Sequence, residues 1–192
     1  MKEDPMSTTE APTLPNGVNV EALLGAREAF KGDTSLTQFQ WRARNEWVDG
    51  THSRTVIDDF TGAGGPQSHK APQVHDADHP ELFAAADNGS TPIEFVLHAI
   101  ASCLTGGVAA VAANRGVKLN SVSSSIEGDM DLQGILGMDP GVRNGYSAIR
   151  VNFEIDADAD DETVAKIVQQ SIKRSAVYDV LTGKVAVEVT VK

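Results

Sequence analysis

Between Phe95 and Ala113 the chain carries no Asp, Glu, Lys or Arg, a run of 19 uncharged residues that must be either a membrane span or the centre of a fold. The flanks of the run are written as helix ends. Thr91 can cap, Pro92 suits the first helical position, and Glu94 stands where a capping box needs it. Gly116 after Arg115 supplies the stop. Thr91 to Gly116 therefore predicts one helix about 36 Å long.

A membrane span is rejected because His98, Ser102, Thr105 and paired glycines dilute the apolarity, and because the remainder of the chain is acidic and polar. Helices that are apolar all round also lie at the centre of globular folds. One face is small, formed by Ala99, Cys103, Gly106, Ala110 and Ala113, and would let a second backbone approach closely. Another face is bulky, with Phe95, Val96, Ile100, Leu104, Val108 and Val111. A buried central helix packed on a partner helix and a sheet satisfies both.

The net charge of -11, from 16 basic and 27 acidic residues, argues against a nucleic-acid or anionic-membrane partner, since either needs a basic face. The N-terminal residues have neither the basic nor the apolar region of a secretory signal, which predicts a cytoplasmic protein. A single cysteine excludes an intramolecular disulfide and any cysteine-rich zinc site. His75, Asp76, Asp78 and His79 could suggest metal ligands, but they have no matched second cluster, and no metal or other cofactor is expected.

Residues 1–18 are rich in Pro, Thr, Ser and Asn without apolar periodicity and predict a tail, leaving 19–192 as a single domain. Asn19 caps a short helix that Gly32 closes. Residues 36–43 and 47–60 read as antiparallel strands with the turn near Arg44 to Glu46 or at Asp49-Gly50. Residues 61–88 read as a long irregular connection with a short strand around Lys70 to Val74. Residues 119–132 predict a strand, 133–145 a loop, and the alternation of Ile149, Val151, Phe153 and Ile155 a half-buried strand. Asp158 to Asp161 open a second helix striped by Val164, Ile167, Val168 and Ile172. Val185, Val187, Val189 and Val191 alternate in a last strand. Strands, a helix, then strands with a second helix give an α+β domain: an antiparallel sheet with two main helices.

Four segments resemble the OsmC/Ohr superfamily of thiol-dependent hydroperoxide reductases, and the resemblance spans residues 36–192. They are DADHPELFAAADNGSTPIEFVLHAIASC, IEGDMDLQGILGMDPGVRNGY, KRSAVYDVLTGKVAVEV and, more weakly, WVDGTHSR. The resemblance implies an intertwined homodimer with the active site between subunits. It also implies peroxide reduction by a cysteine thiolate, with an arginine polarising the peroxide and a glutamate holding the arginine. Cys103 matches the reactive cysteine, Arg54 the arginine, and Glu94 stands one residue after the glutamate position of the Ohr branch, which here is Ile93. Ser175 stands where the two-cysteine members carry the resolving cysteine, so their disulfide cycle is closed to this chain.

The expected function is reduction of a small organic hydroperoxide through Cys103, in oxidative-stress defence, with an external thiol resolving the sulfenic acid. The alternative is a non-catalytic protein that binds a small apolar ligand in the cavity between subunits. His79, His98 and Ser175 are expected to line the pocket. Glu94 has a second explanation as a helix cap, and Arg54 as a solvated strand residue. His98, five residues before Cys103, lies too far round the helix to pair with it directly.

Overall fold

The computed structural model describes residues 14–191. A helix α1 (Val20–Gly32) leads into β1 (Gln40–Trp41), β2 (Arg44–Asp49), β3 (His52–Gly62) and β4 (Gly65–Ala77). The central helix α2 (Pro92–Asn114) follows, then β5 (Leu119–Asp129), a single turn α3 (Leu132–Ile135) and β6 (Ala148–Ala157). Helices α4 (Asp161–Arg174) and α5 (Ala176–Thr182) come last. The architecture is α+β with antiparallel sheets, as the element order predicts.

The strands form two separate sheets. In the first, β3 pairs with β1, β2 and β4, all antiparallel. The β2–β3 turn is Gly50-Thr51, closed by the Asp49↔His52 pair, and Gly50 takes the positive φ of 52° that this turn needs. In the second, β5 and β6 pair from Leu119↔Ala157 to Asp129↔Ala148. Helix α2 packs on β5 of this sheet and against α4. The core is Val108, Val111, Ala112 and Ile167, flanked by Val122, Ile155 and Val168. Full burial of a side chain such as Ile167 stabilises the fold by about 1.5–3 kcal/mol.

Both ends of α2 follow from local chemistry. The Thr91 hydroxyl accepts from the Glu94 N–H while the Glu94 carboxylate accepts from the Thr91 N–H, closing the capping box. Gly116 sits at φ 70°, the left-handed conformation that ends the helix. Midway, Gly107 lets α4 come so close that a Cβ there would overlap Ser171 Oγ. The Ser171 hydroxyl donates to the Leu104 carbonyl across this contact at 2.8 Å.

Several expectations are corrected. Nearly half of the irregular connection over 61–88 is β4, 13 residues long, whose prolines are tolerated because β4 is an edge strand with a shift of register opposite Ile57 to Asp59. The strand expected from Leu36 is reduced to two residues, because Thr34–Thr37 turn as a 3-10 helix capped by Asp33. The last strand is unpaired: residues 184–191 hydrogen-bond to no described strand, and Val187 is 84% exposed. Of the tail expected over 1–18, residues 1–13 lie outside the described residues. Its last part is anchored, since the Asn16 amide donates to the Val117 carbonyl and accepts from the Leu119 N–H. Finally, α2 is not buried all round, because only six of its 23 residues are buried within the chain.

Candidate active site around Cys103

Cys103 lies half-buried in the fourth turn of α2, facing the junction of α4 and α5. That junction is one residue long. Ser175, at φ -79° and ψ 114°, breaks the helical path and caps α5, its Oγ accepting from the Tyr178 N–H at 3.0 Å. This bond fixes the rotor, and the hydroxyl hydrogen is donated to Cys103 Sγ at 3.1 Å. Burial alone raises the thiol pKa. The Ser175 hydroxyl and the backbone N–H groups of Val177 and Ala176 outweigh it and hold the thiol below its ordinary value.

The sulfur opens onto a cavity of about 250 Å³ between α1, α2 and α4. Leu23 and Leu24 of α1 form one wall, Gly107 and Ala110 of α2 another, and Arg27 and Arg174 stand at its edge. Sequence reasoning missed both arginines. Arg174 reads as a complement to the α4 dipole, and Arg27 lies ahead of the segment that carries the resemblance.

Arg54 and Glu94 are brought together neither with each other nor with Cys103 within one chain. Arg54, on β3, donates from Nε to Asp76 Oδ1 at 2.9 Å, and His52 Nε2 shares the same oxygen at 2.7 Å. Asp76 thus does for Arg54 what the resemblance assigns to a glutamate. Glu94 is committed to its cap, and hydrogen bonds from the Thr91 N–H and hydroxyl hold its carboxyl below the ordinary value. Its charge, after burial, also contributes to raising the Tyr146 phenol, whose hydroxyl donates to the Ile93 carbonyl.

Of the three residues expected to line the pocket between subunits, Ser175 borders this cavity within the chain, and the two histidines lie elsewhere. His98 is exposed on α2, and His79 sets its ring edge-on to Phe83 at 6.1 Å between centroids. Among the described residues, no three His, Cys, Asp or Glu side chains converge as metal ligands. The His75–His79 group is dispersed by other duties. His75 meets Phe95, Asp76 holds Arg54, and Asp78 is buried, accepting from the Thr51 hydroxyl, the His79 N–H and both the N–H and amide of Asn88.

A larger cavity of about 670 Å³ lies on the other side of α2, walled by Val96 and Ile100, by Val151 and Phe153 of β6, and by Tyr178 of α5.

This arrangement of helices and sheets is that of the OsmC-like proteins. The chain is similar to an OsmC-like protein from Mycoplasma pneumoniae, with a TM-score of 0.56 and 15% identity over 75% of this chain and 88% of that one. It is similar to an organic hydroperoxide resistance protein OsmC from Legionella pneumophila, with a TM-score of 0.51 and 12% identity over 74% and 90%. It is also similar to an OsmC-like protein of unknown function from Vibrio cholerae, with a TM-score of 0.51 and 10% identity over 73% and 92%. No curated protein matches the sequence. The family model for OsmC-like proteins matches residues 85–190, more than half of the chain, and the chain belongs to that family.

Proposed function

We propose that this protein is a homodimeric, thiol-dependent peroxidase that reduces organic hydroperoxides in the cytoplasm, as part of the response to oxidative stress. The observation that carries this reading is the environment of Cys103: a thiol held below its ordinary pKa, open to a cavity, within the segment that matches the family. The hydroperoxide resistance named for the Legionella relative supports it.

In the reaction, the Cys103 thiolate attacks the terminal oxygen of the hydroperoxide. The O–O bond breaks, and the alkoxide takes a proton to leave as the alcohol. Cys103 is oxidised to the sulfenic acid. An external thiol then displaces water to form a mixed disulfide, and a second thiol frees Cys103 and leaves as the disulfide. Ser175 cannot replace the first thiol, because a hydroxyl forms no bond of this kind.

The dimer supplies the cation. The part of α2 left open around Gly106, where an added Cβ would meet none of the described residues within 4 Å, is the seam along which a second copy fits. Arg54 of one subunit then serves Cys103 of the other. Asp76 fixes its Nε and leaves the two terminal nitrogens for the peroxide.

The test is hydroperoxide consumption with a thiol reductant by wild type and Cys103→Ser. Loss of turnover in the variant supports the reading, and equal rates end it. The second reading, a non-catalytic binder of small apolar ligands, is favoured by the 670 Å³ cavity, which is large enough for such a ligand. A Cys103 that never forms sulfenate with peroxide, together with a captured apolar ligand, would establish it instead.

A further inference from the structure

Three arginines of this chain have no ion pair or side-chain hydrogen bond among the described residues: Arg143, on the 670 Å³ cavity, and the two that share one smaller space, Arg27 and Arg174. Arg42, Arg44, Arg54 and Arg150 each hold a carboxylate within 3.2 Å. Among the described residues, Arg27 and Arg174 form no ion pair and no side-chain hydrogen bond, although the chain has 27 acidic residues to offer. Both instead edge the cavity beside Cys103, and among the described residues no carboxylate lines that cavity. Two guanidiniums facing one small space without a counter-charge repel each other and attract an anion.

The anion has to be a molecule that needs this place. With Ser175 beside the sulfur, the thiol that resolves the sulfenic acid must enter through the cavity mouth. It reacts as a thiolate, and it approaches a molecule of net charge -11 that repels it. A local reversal of sign at the mouth removes that obstacle, and the walls offered by Leu23 and Leu24 suit a short carbon chain.

We infer that the cavity bounded by Arg27, Arg174 and Cys103 is the docking site of the reductant, and that this reductant is a small thiol bearing a carboxylate. This inference rests on the proposal that Cys103 is recycled by an external thiol. Arg27 comes from α1, so this helix, which precedes the matched family segment, selects the reductant.

The charge preference can be tested without peroxide. The Cys103 thiolate of the full chain attacks one sulfur of an aromatic disulfide, the S–S bond breaks, and a mixed disulfide forms while the second thiolate leaves. The rate with dithiobis(nitrobenzoate), a dianion, is divided by the rate with neutral dithiodipyridine. This ratio cancels any change in the thiolate fraction of Cys103.

The ratio is expected to fall about tenfold or more in the double variant Arg27→Gln/Arg174→Gln, and to fall in wild type as salt is added. A ratio unchanged by the double substitution overturns the inference. In a second arm, chain oxidised by cumene hydroperoxide is reduced with mercaptopropionate, mercaptoethanol or cysteamine. The anionic thiol should be fastest in wild type and lose that lead in the double variant; no lead in wild type also overturns the inference. Failure of peroxide to consume the Cys103 thiol would count against the peroxidase proposal, while the exchange ratio would still decide the preference of the cavity.

Discussion

Ser175 makes two hydrogen bonds with one oxygen: it accepts from the Tyr178 N–H and donates to Cys103 Sγ at 3.1 Å. The first starts a helix and the second supports a thiolate. Because the same rotor serves both, the geometry at the sulfur is only as well defined as the start of α5.

Replacing Ser175 with alanine removes a donor to the charged form of Cys103. The folded thiol pKa, now held down, should rise, so less thiolate is present at neutral pH. Alkylation of Cys103 by iodoacetamide at pH 7 should slow about 3–10-fold, and its pH profile should move to higher pH. An unmoved profile would mean that the backbone N–H groups alone set the thiol.

Ser175→Cys is expected to restore what the two-cysteine members have. The Ser175 oxygen is 3.1 Å from Sγ, close enough for a modest rotamer change to bring two sulfurs to bonding distance. After one turnover with hydroperoxide and no other thiol, titration should find no free thiol in the variant, and the chain should migrate as a monomer under denaturing, non-reducing conditions. Two persistent free thiols would contradict the arrangement. The lost cap should cost about 1 kcal/mol of stability.

The Asp78 carboxyl links the end of β4 to Thr51 and Asn88, and the Thr51 hydroxyl, then the Asn88 N–H, holds it well below the usual carboxylate range. A folded pKa depressed in this way adds stability that is complete above the unfolded value, about 4, and fades as pH falls below it. Asp78→Asn should therefore lower Tm by about 5 °C at pH 7, with the gap to wild type narrowing on acidification below about pH 4. A gap that stays constant with pH would show that the charge is immaterial there.

The parts of the fold legible in the sequence are those whose causes are local. The capping box at Thr91 and Glu94, the hairpin turn that Gly50 opens and the alternation in β6 each lie within a few residues, and each is present. β4 was hidden because Pro66 and Pro72 read as loop, while its strand character comes from pairing with β3. Conversely, Val185 to Val191 alternate as well as β6 does, but alternation supplies an inclination and not a partner. The site divides in the same way. Cys103 and Ser175 are singled out by their segments, whereas the place of Arg27 at the cavity and the hold of Asp76 on Arg54 come from contacts across the fold. α5 escaped notice because only Ser175 separates it from α4.

Residues 184–191 leave a row of backbone donors and acceptors open, with Val185, Val187, Val189 and Val191 at 58–97% exposure. Such a row is a template for any strand edge within reach, a second copy of the chain included. In the homodimer proposed above, dilution would act on this molecule as a mild denaturant, since every lost encounter returns the valines to water. The melting temperature then becomes a function of protein concentration, and a purification carried to low concentration would lose material that a concentrated one keeps.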